Sequence, residues 1–95
     1  MELAIGIILG CCALAAGICM GVGSIGPALG EGGAVAKACE AIGRQPESKG
    51  AVTSTMIMGC AISETTGIYS LVIAILLIFV APNTMVNILT RAMGL

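Results

Sequence analysis

The chain has 95 residues, of which 58% are hydrophobic and 9% charged, with 14 glycines, no histidine, no tryptophan and a net charge of −1. That composition excludes an ordinary soluble domain and marks a small integral membrane protein. The lack of a basic run or a set of stacking aromatics sets nucleic-acid binding aside. The lack of histidine and of any Cys-x-x-Cys pair argues against a metal-thiolate or redox centre.

The first element is a helix over about residues 3–42. Leu3 to Gly30 carries no charge for longer than the ~20 residues that a spanning helix needs. Met1-Glu2-Leu3 lacks the positive region of a secretory signal, and the stretch is glycine-patterned, so this helix is expected to stay in the mature chain. Its glycines make poor helix material in water, but in lipid small residues let helices approach closely. Ser24, Gly26, Ala28, Gly30 and Gly32 fall two apart, which at ~100° per residue alternates between two sides of the helix. Two smooth sides suit a helix pressed by an identical copy on each flank, as in a closed ring. They suit equally a helix that only accommodates its own hairpin partner.

A polar link over residues 43–49 follows, and Lys37, Glu40, Arg44, Glu47 and Lys49 cluster around it. Pro46 disfavours helical geometry at Gln45, and Gly43 and Gly50 flank the break, so two antiparallel helices are expected to meet here. The excess of Lys and Arg on this side places the link in the cytoplasm and both termini on the opposite face.

The second helix covers about residues 50–81 and is uncharged apart from Glu64. Gly59, Ser63, Thr66 and Ser70 recur at intervals of three and four, a stripe expected to pack on the first helix. Serine and threonine in such helices commonly bond back to a carbonyl one turn earlier, so Ser63 and Ser70 are not assigned a function. Pro82 ends the span, and residues 82–95 form a short amphipathic tail. The five cysteines, Cys11, Cys12, Cys19, Cys39 and Cys60, are expected to be small buried hydrophobes, and their odd number argues against a disulfide framework.

Glu64 is the candidate functional residue. An ionised side chain near the bilayer centre costs at least ~2.5 kcal/mol, so an intramembrane carboxylate is a functional site by default. Glu31 and Glu64 are symmetric about a point between Glu47 and Ser48, beside the Pro46 break, so their carboxyls should lie within about a helical turn of each other. Two such carboxyls cannot both stay ionised without a cation: one is protonated, or both share an ion. Thr65 points ~100° away from Glu64 and cannot join it on one small ion within a single helix. Two neighbouring copies solve this if Glu64 and Glu31 of one face the Ile62 carbonyl and Thr65 hydroxyl of the next. Thr66 could hold a water, and Tyr69 could donate its hydroxyl to Glu64. Such hard oxygen ligands suit sodium rather than a soft metal. A site of carboxylates and hydroxyls can also serve protons.

These residues carry a family resemblance across nearly the full chain. The small-residue first helix, the Arg44-Gln45-Pro46 link and the run Ser63-Glu64-Thr65-Thr66-Gly67-Ile68-Tyr69-Ser70-Leu71-Val72 resemble the c subunit, or proteolipid, of F-type ATP synthases in its sodium-translocating branch. The resemblance implies an all-α hairpin assembled into a closed homo-oligomeric ring in the inner (plasma) membrane, a non-catalytic rotor in contact with lipid. It implies that Glu64 carries Na+ past the stator a subunit and that Arg44, Gln45 and Pro46 meet the central stalk. It also implies an ion site in which Glu31 stands where the branch has a polar residue, often glutamine. Ile62 then supplies the carbonyl, Thr65 the hydroxyl and Thr66 the water-holding group, and Tyr69 steadies the glutamate. Ser24 and Ala28 depart from the family's alternating glycines, and the tail after Pro82 is longer. The readings left open are an H+-carrying c subunit and, from a different class, a structural hairpin or small pore. A V-type proteolipid is disfavoured by the single hairpin and the Arg-Gln-Pro link.

Overall fold

The computed structural model describes all 95 residues, and every element is helical. Helix α1 spans Glu2–Gly23, α2 Ile25–Arg44, α3 Lys49–Phe79 and α4 Ala81–Ala92, with a single 3-10 turn at Pro46–Ser48. The three junctions belong to the three prolines. Proline has no amide hydrogen, and its ring crowds the carbonyl four residues back. For Pro27 that carbonyl is Gly23, where α1 ends. For Pro82 it is Ile78, just before the break at Val80. Pro46 acts instead on the residue before it: Gln45 leaves the helical region, with φ −135° and ψ 84°.

The interruptions at Ser24 and Val80 remain right-handed helical in geometry, so each pair of helices continues as one rod with a joint. The result is a long thin hairpin of 71 × 16 × 12 Å. The segments Glu2–Arg44 and Pro46–Phe79 are each long and apolar enough to cross a membrane. Gly43 and Arg44 are still helical, so the non-helical link contracts to Gln45 and the turn after it. Beyond Pro82 the tail continues as the regular helix α4.

Only seven of the 95 residues are buried, namely Cys12, Ala16, Pro27, Ala38, Gly67, Ala74 and Pro82. All are small or compact, and most large apolar side chains point outward. Such a molecule has no core to sustain it in water, and its stability comes from close helix approach and from a lipid or protein surround. The α1–α3 and α2–α3 seams run along the whole hairpin, and α4 lies along the first turns of α1. Their register is legible in close contacts. A methyl on Gly23 would overlap the Ser70 side chain, one on Gly30 would sit 3.4 Å from Ser63 Oγ, and one on Gly67 would sit 3.7 Å from Pro27 Cγ. Cys19 Sγ reaches the Ser70 carbonyl at 3.5 Å, and Cys12 Sγ meets Met85 Sδ at 3.9 Å.

Of the five cysteines, only Cys12 is buried. Cys19 and Cys60 are half-buried, while Cys11 and Cys39 are exposed, so the expectation of general burial fails for the isolated chain. Helical periodicity explains the split, because one narrow seam per helix cannot take neighbours such as Cys11 and Cys12 together.

Candidate ion site

The hairpin register brings Glu31 of α2 and Glu64 of α3 face to face. Their carboxyls are close enough to interact across the α2–α3 seam. Glu31 Oε1 is shielded from solvent yet has no donor, and it is the only buried side-chain oxygen or nitrogen in this condition. Two carboxylates offer each other only acceptors, so the contact is closed by a proton or a cation between them. Along α2 the pair lies about 9 Å from Lys37, the first charge on the link side, at ~1.5 Å per residue.

Gly67 and Pro27 build the wall behind the pair. Pro27 is four residues before Glu31 and Gly67 three after Glu64, so each sits on the same helical face as its carboxylate. Both are buried. The hollow left by Gly67 lies directly against Glu64: a β-carbon there would come within 3.3 Å of Glu64 Oε1. Neither residue was singled out from the sequence, although the i, i+4 and i, i+3 spacings were available as a signal.

The threonine hydroxyls that follow Glu64 in sequence have their hydrogens committed and their lone pairs free. Thr65 Oγ1 donates to the Ala61 carbonyl at 3.3 Å, and Thr66 Oγ1 donates to the Ser63 carbonyl at 2.8 Å. Since Thr66 turns to Ser63, the Ile62 carbonyl accepts no side-chain bond and keeps acceptor capacity on an exposed part of α3. The oxygen set is therefore hard and acceptor-rich, fitting a small hard cation or a proton and not a soft metal.

The structure does not gather all the expected site residues within one chain. Tyr69 is 62% exposed and makes no hydrogen bond to Glu64. Five residues along a helix is a rotation of about 140°, which turns its ring away from Glu64's side. Thr65 is likewise rotated from Glu64, so it and Tyr69 would join the carboxyls only across a boundary between copies.

The small residues of the first rod divide between two partners. Gly30 faces Ser63 inside the hairpin, whereas a methyl on Gly26 or Gly32 would have nothing within 4 Å, and Ala28 is exposed. Ser24 is half-buried, and its hydroxyl returns to the Gly21 carbonyl at 3.3 Å. On α3, Ser63 and Ser70 pack on the first rod, while Gly59 is open and Thr66 exposed.

At the link, Arg44 Nη2 pairs with Glu40 Oε1 at 2.7 Å and Lys37 Nζ with Glu40 Oε2 at 3.5 Å. Both pairs are exposed and contribute little stability. They leave Gln45 and Pro46 at the exposed tip of the hairpin.

Comparison with known proteins agrees with this architecture. The family of ATP synthase c subunits matches residues 14–77. The ATP synthase c subunit of Petrotoga mobilis is 51% identical over 69 residues, covering 73% of this chain and 72% of its own. The second ATP synthase c subunit of Cereibacter sphaeroides is 56% identical over 71 residues, with 75% and 86% covered. That of Thermotoga maritima is 52% identical over 67 residues, with 70% and 79% covered. The match spans both halves of the hairpin, including Glu31, the link and Glu64, and the chain therefore belongs to the family of ATP synthase c subunits.

Proposed function

We propose that this non-catalytic rotor subunit of an F-type ATP synthase carries sodium across the membrane on Glu64, with Glu31 as the second carboxyl of the site. The observation that carries the reading is the shielded, donorless Glu31 Oε1 in a carboxyl that meets Glu64 across the hairpin. A sodium ion would take Glu31 and Glu64 from one copy, with the Ile62 carbonyl and Thr65 hydroxyl from its neighbour. Thr66 would hold a water, and Tyr69 of the adjoining copy would steady the glutamate. Four or more hard oxygens at one point satisfy such an ion without help from the lipid.

Transport follows from desolvation. With Na+ bound and the second carboxyl, Glu31, protonated, the loaded site bears no net charge and passes through lipid at small cost, whereas an empty anionic Glu64 is held back by the cost of taking a charge into hydrocarbon. A cationic group on the stator a subunit would compensate the empty carboxylate at the point of exchange, so the ring moves only by loading and unloading in turn. Ring packing would use the open faces at Gly26, Ala28 and Gly32, with Ser24 and Gly30 nearer the hairpin seam. Arg44, Gln45 and Pro46 at the tip would meet the central stalk on the cytoplasmic side of the plasma membrane, leaving both termini on the other side.

The test is the rate at which a hydrophobic carbodiimide modifies Glu64 in the purified oligomer, mapped by mass spectrometry across pH. The reagent needs a protonated carboxyl. Protection by sodium but not by potassium is the expected result. If labelling depends on pH alone, the subunit carries protons, and the ligand roles of Thr65 and Tyr69 fall.

A further inference from the structure

We infer that Gly67 is a positioning residue for the transported ion: the hollow it leaves beside Pro27 holds the Glu64 carboxyl turned inward against Glu31. The inference rests on the reading of Glu64 as the ion-carrying group and deepens it.

The space is shaped selectively. A β-carbon on Gly67 would lie 3.3 Å from Glu64 Oε1, but 3.7 and 3.9 Å from Pro27 Cγ and Cβ. The distances to proline are ordinary van der Waals separations, so the two helices would accept a methyl there without moving apart. The carboxyl oxygen alone would have to give way, by a few tenths of an ångström. Gly67 therefore leaves its free volume to Glu64 and not to the α2–α3 seam. Backbone conformation gives no reason for the glycine, since the only glycine with positive φ in the chain is Gly94. In a helix interior glycine is also less favourable than alanine by about 1 kcal/mol.

Across the same space, Glu31 Oε1 is shielded and lacks a donor, so the inward Glu64 carboxyl or an ion held by it is what Glu31 has available. Glu64 is already exposed as a residue, so its inward position is marked by the contact with Glu31, which an outward swing would break. Gly67 thus leaves the Glu64 carboxyl the room it occupies on the Glu31 side.

The test uses the purified oligomer with Gly67→Ala, Gly67→Val and a control, Gly59→Ala. Gly59 lies on the same helix with nothing within 4 Å of its methyl position, so the control measures the generic effect of stiffening α3. The readouts are the carbodiimide labelling rate of Glu64 and the sodium concentration, or pH, that half-suppresses it. The dissociation temperature of the oligomer is followed in parallel. Gly67→Ala should therefore label faster and need roughly twofold more sodium for half protection, the low end of an off-rotamer cost. Gly67→Val should exceed it, and Gly59→Ala should match the native chain, with dissociation temperatures unchanged for both alanine variants. If Gly67→Ala behaves like the native chain, or if Gly59→Ala shifts equally, the positioning role is overturned. If the native chain itself responds to neither sodium nor pH, the ion-carrier reading has failed and the inference falls with it, an outcome distinct from the other two.

Discussion

Gly23→Ala is the substitution through which the hairpin's close approach can be measured. A β-carbon at this position would overlap Ser70 Oγ and stand 2.7 Å from Ser70 Cβ. The hydroxyl could swing aside, since its bond to the Thr66 carbonyl is long at 3.5 Å. The Ser70 β-carbon cannot, being fixed to the backbone of α3. Carbon atoms rest at ~3.5–4.0 Å, so α1 and α3 must part locally by about 1 Å, and a gap of that size forfeits up to about half of each facing dispersion contact. Overpacking of this kind costs about 1–3 kcal/mol, and in a homo-oligomer every copy bears it.

The assay is heat dissociation of the purified oligomer into single chains. Gly23→Ala should lower the dissociation temperature. Ser70→Gly in the same chain should restore it because it removes both opposing atoms, with a coupling of about 1–3 kcal/mol between the two sites. Ser70→Ala should rescue little, because its β-carbon stays at 2.7 Å. Two results would refute the reasoning: a native dissociation temperature for Gly23→Ala, or rescue by Ser70→Ala as complete as that by Ser70→Gly.

The remaining predictions concern the ion site and the tail. Glu64→Gln should abolish ion-coupled rotation while leaving the oligomer assembled, and sodium-coupled ATP synthesis retained by that variant would contradict the assignment. Thr65→Ala removes a hydroxyl whose lone pairs face outward while its hydrogen is bound to Ala61; sodium protection of Glu64 should weaken by at least about tenfold, with pH-dependent labelling kept. Unchanged sodium protection would remove Thr65 from the ligand set. Deleting residues 81–95 should leave Glu64 labelling unaltered, since Val80 is about 24 Å away along α3. The deletion should instead expose Cys12, which Met85 now covers, to a membrane-permeant thiol reagent; a native rate of Cys12 modification would show that α4 does not shield α1.

Much of the molecule could be read from the order of its residues, because the bilayer restricts a spanning chain to helices whose length is counted directly. Two long apolar stretches around Pro46 implied two antiparallel rods. The symmetry of Glu31 and Glu64 about that break put the carboxyls at one level, and they do face each other. Thr66 and Ser70 bonding backward within their own helix was a local property as well, fixed by side-chain length and helical pitch.

What depended on tertiary structure was which face of each helix meets which neighbour. Hydrophobic periodicity, the usual guide to a buried face, is silent here because both lipid and the partner helix accept apolar side chains. Residues two apart in the first rod were therefore equally compatible with ring contacts and hairpin contacts. Only the packed helices separate Gly30, which meets Ser63, from Gly26 and Gly32, which remain open. The same ambiguity hid Gly67 and Pro27, whose importance lies in the space they leave and limit between two distant segments. A sequence records what a side chain carries, but a hollow exists only once the opposing helix is in place.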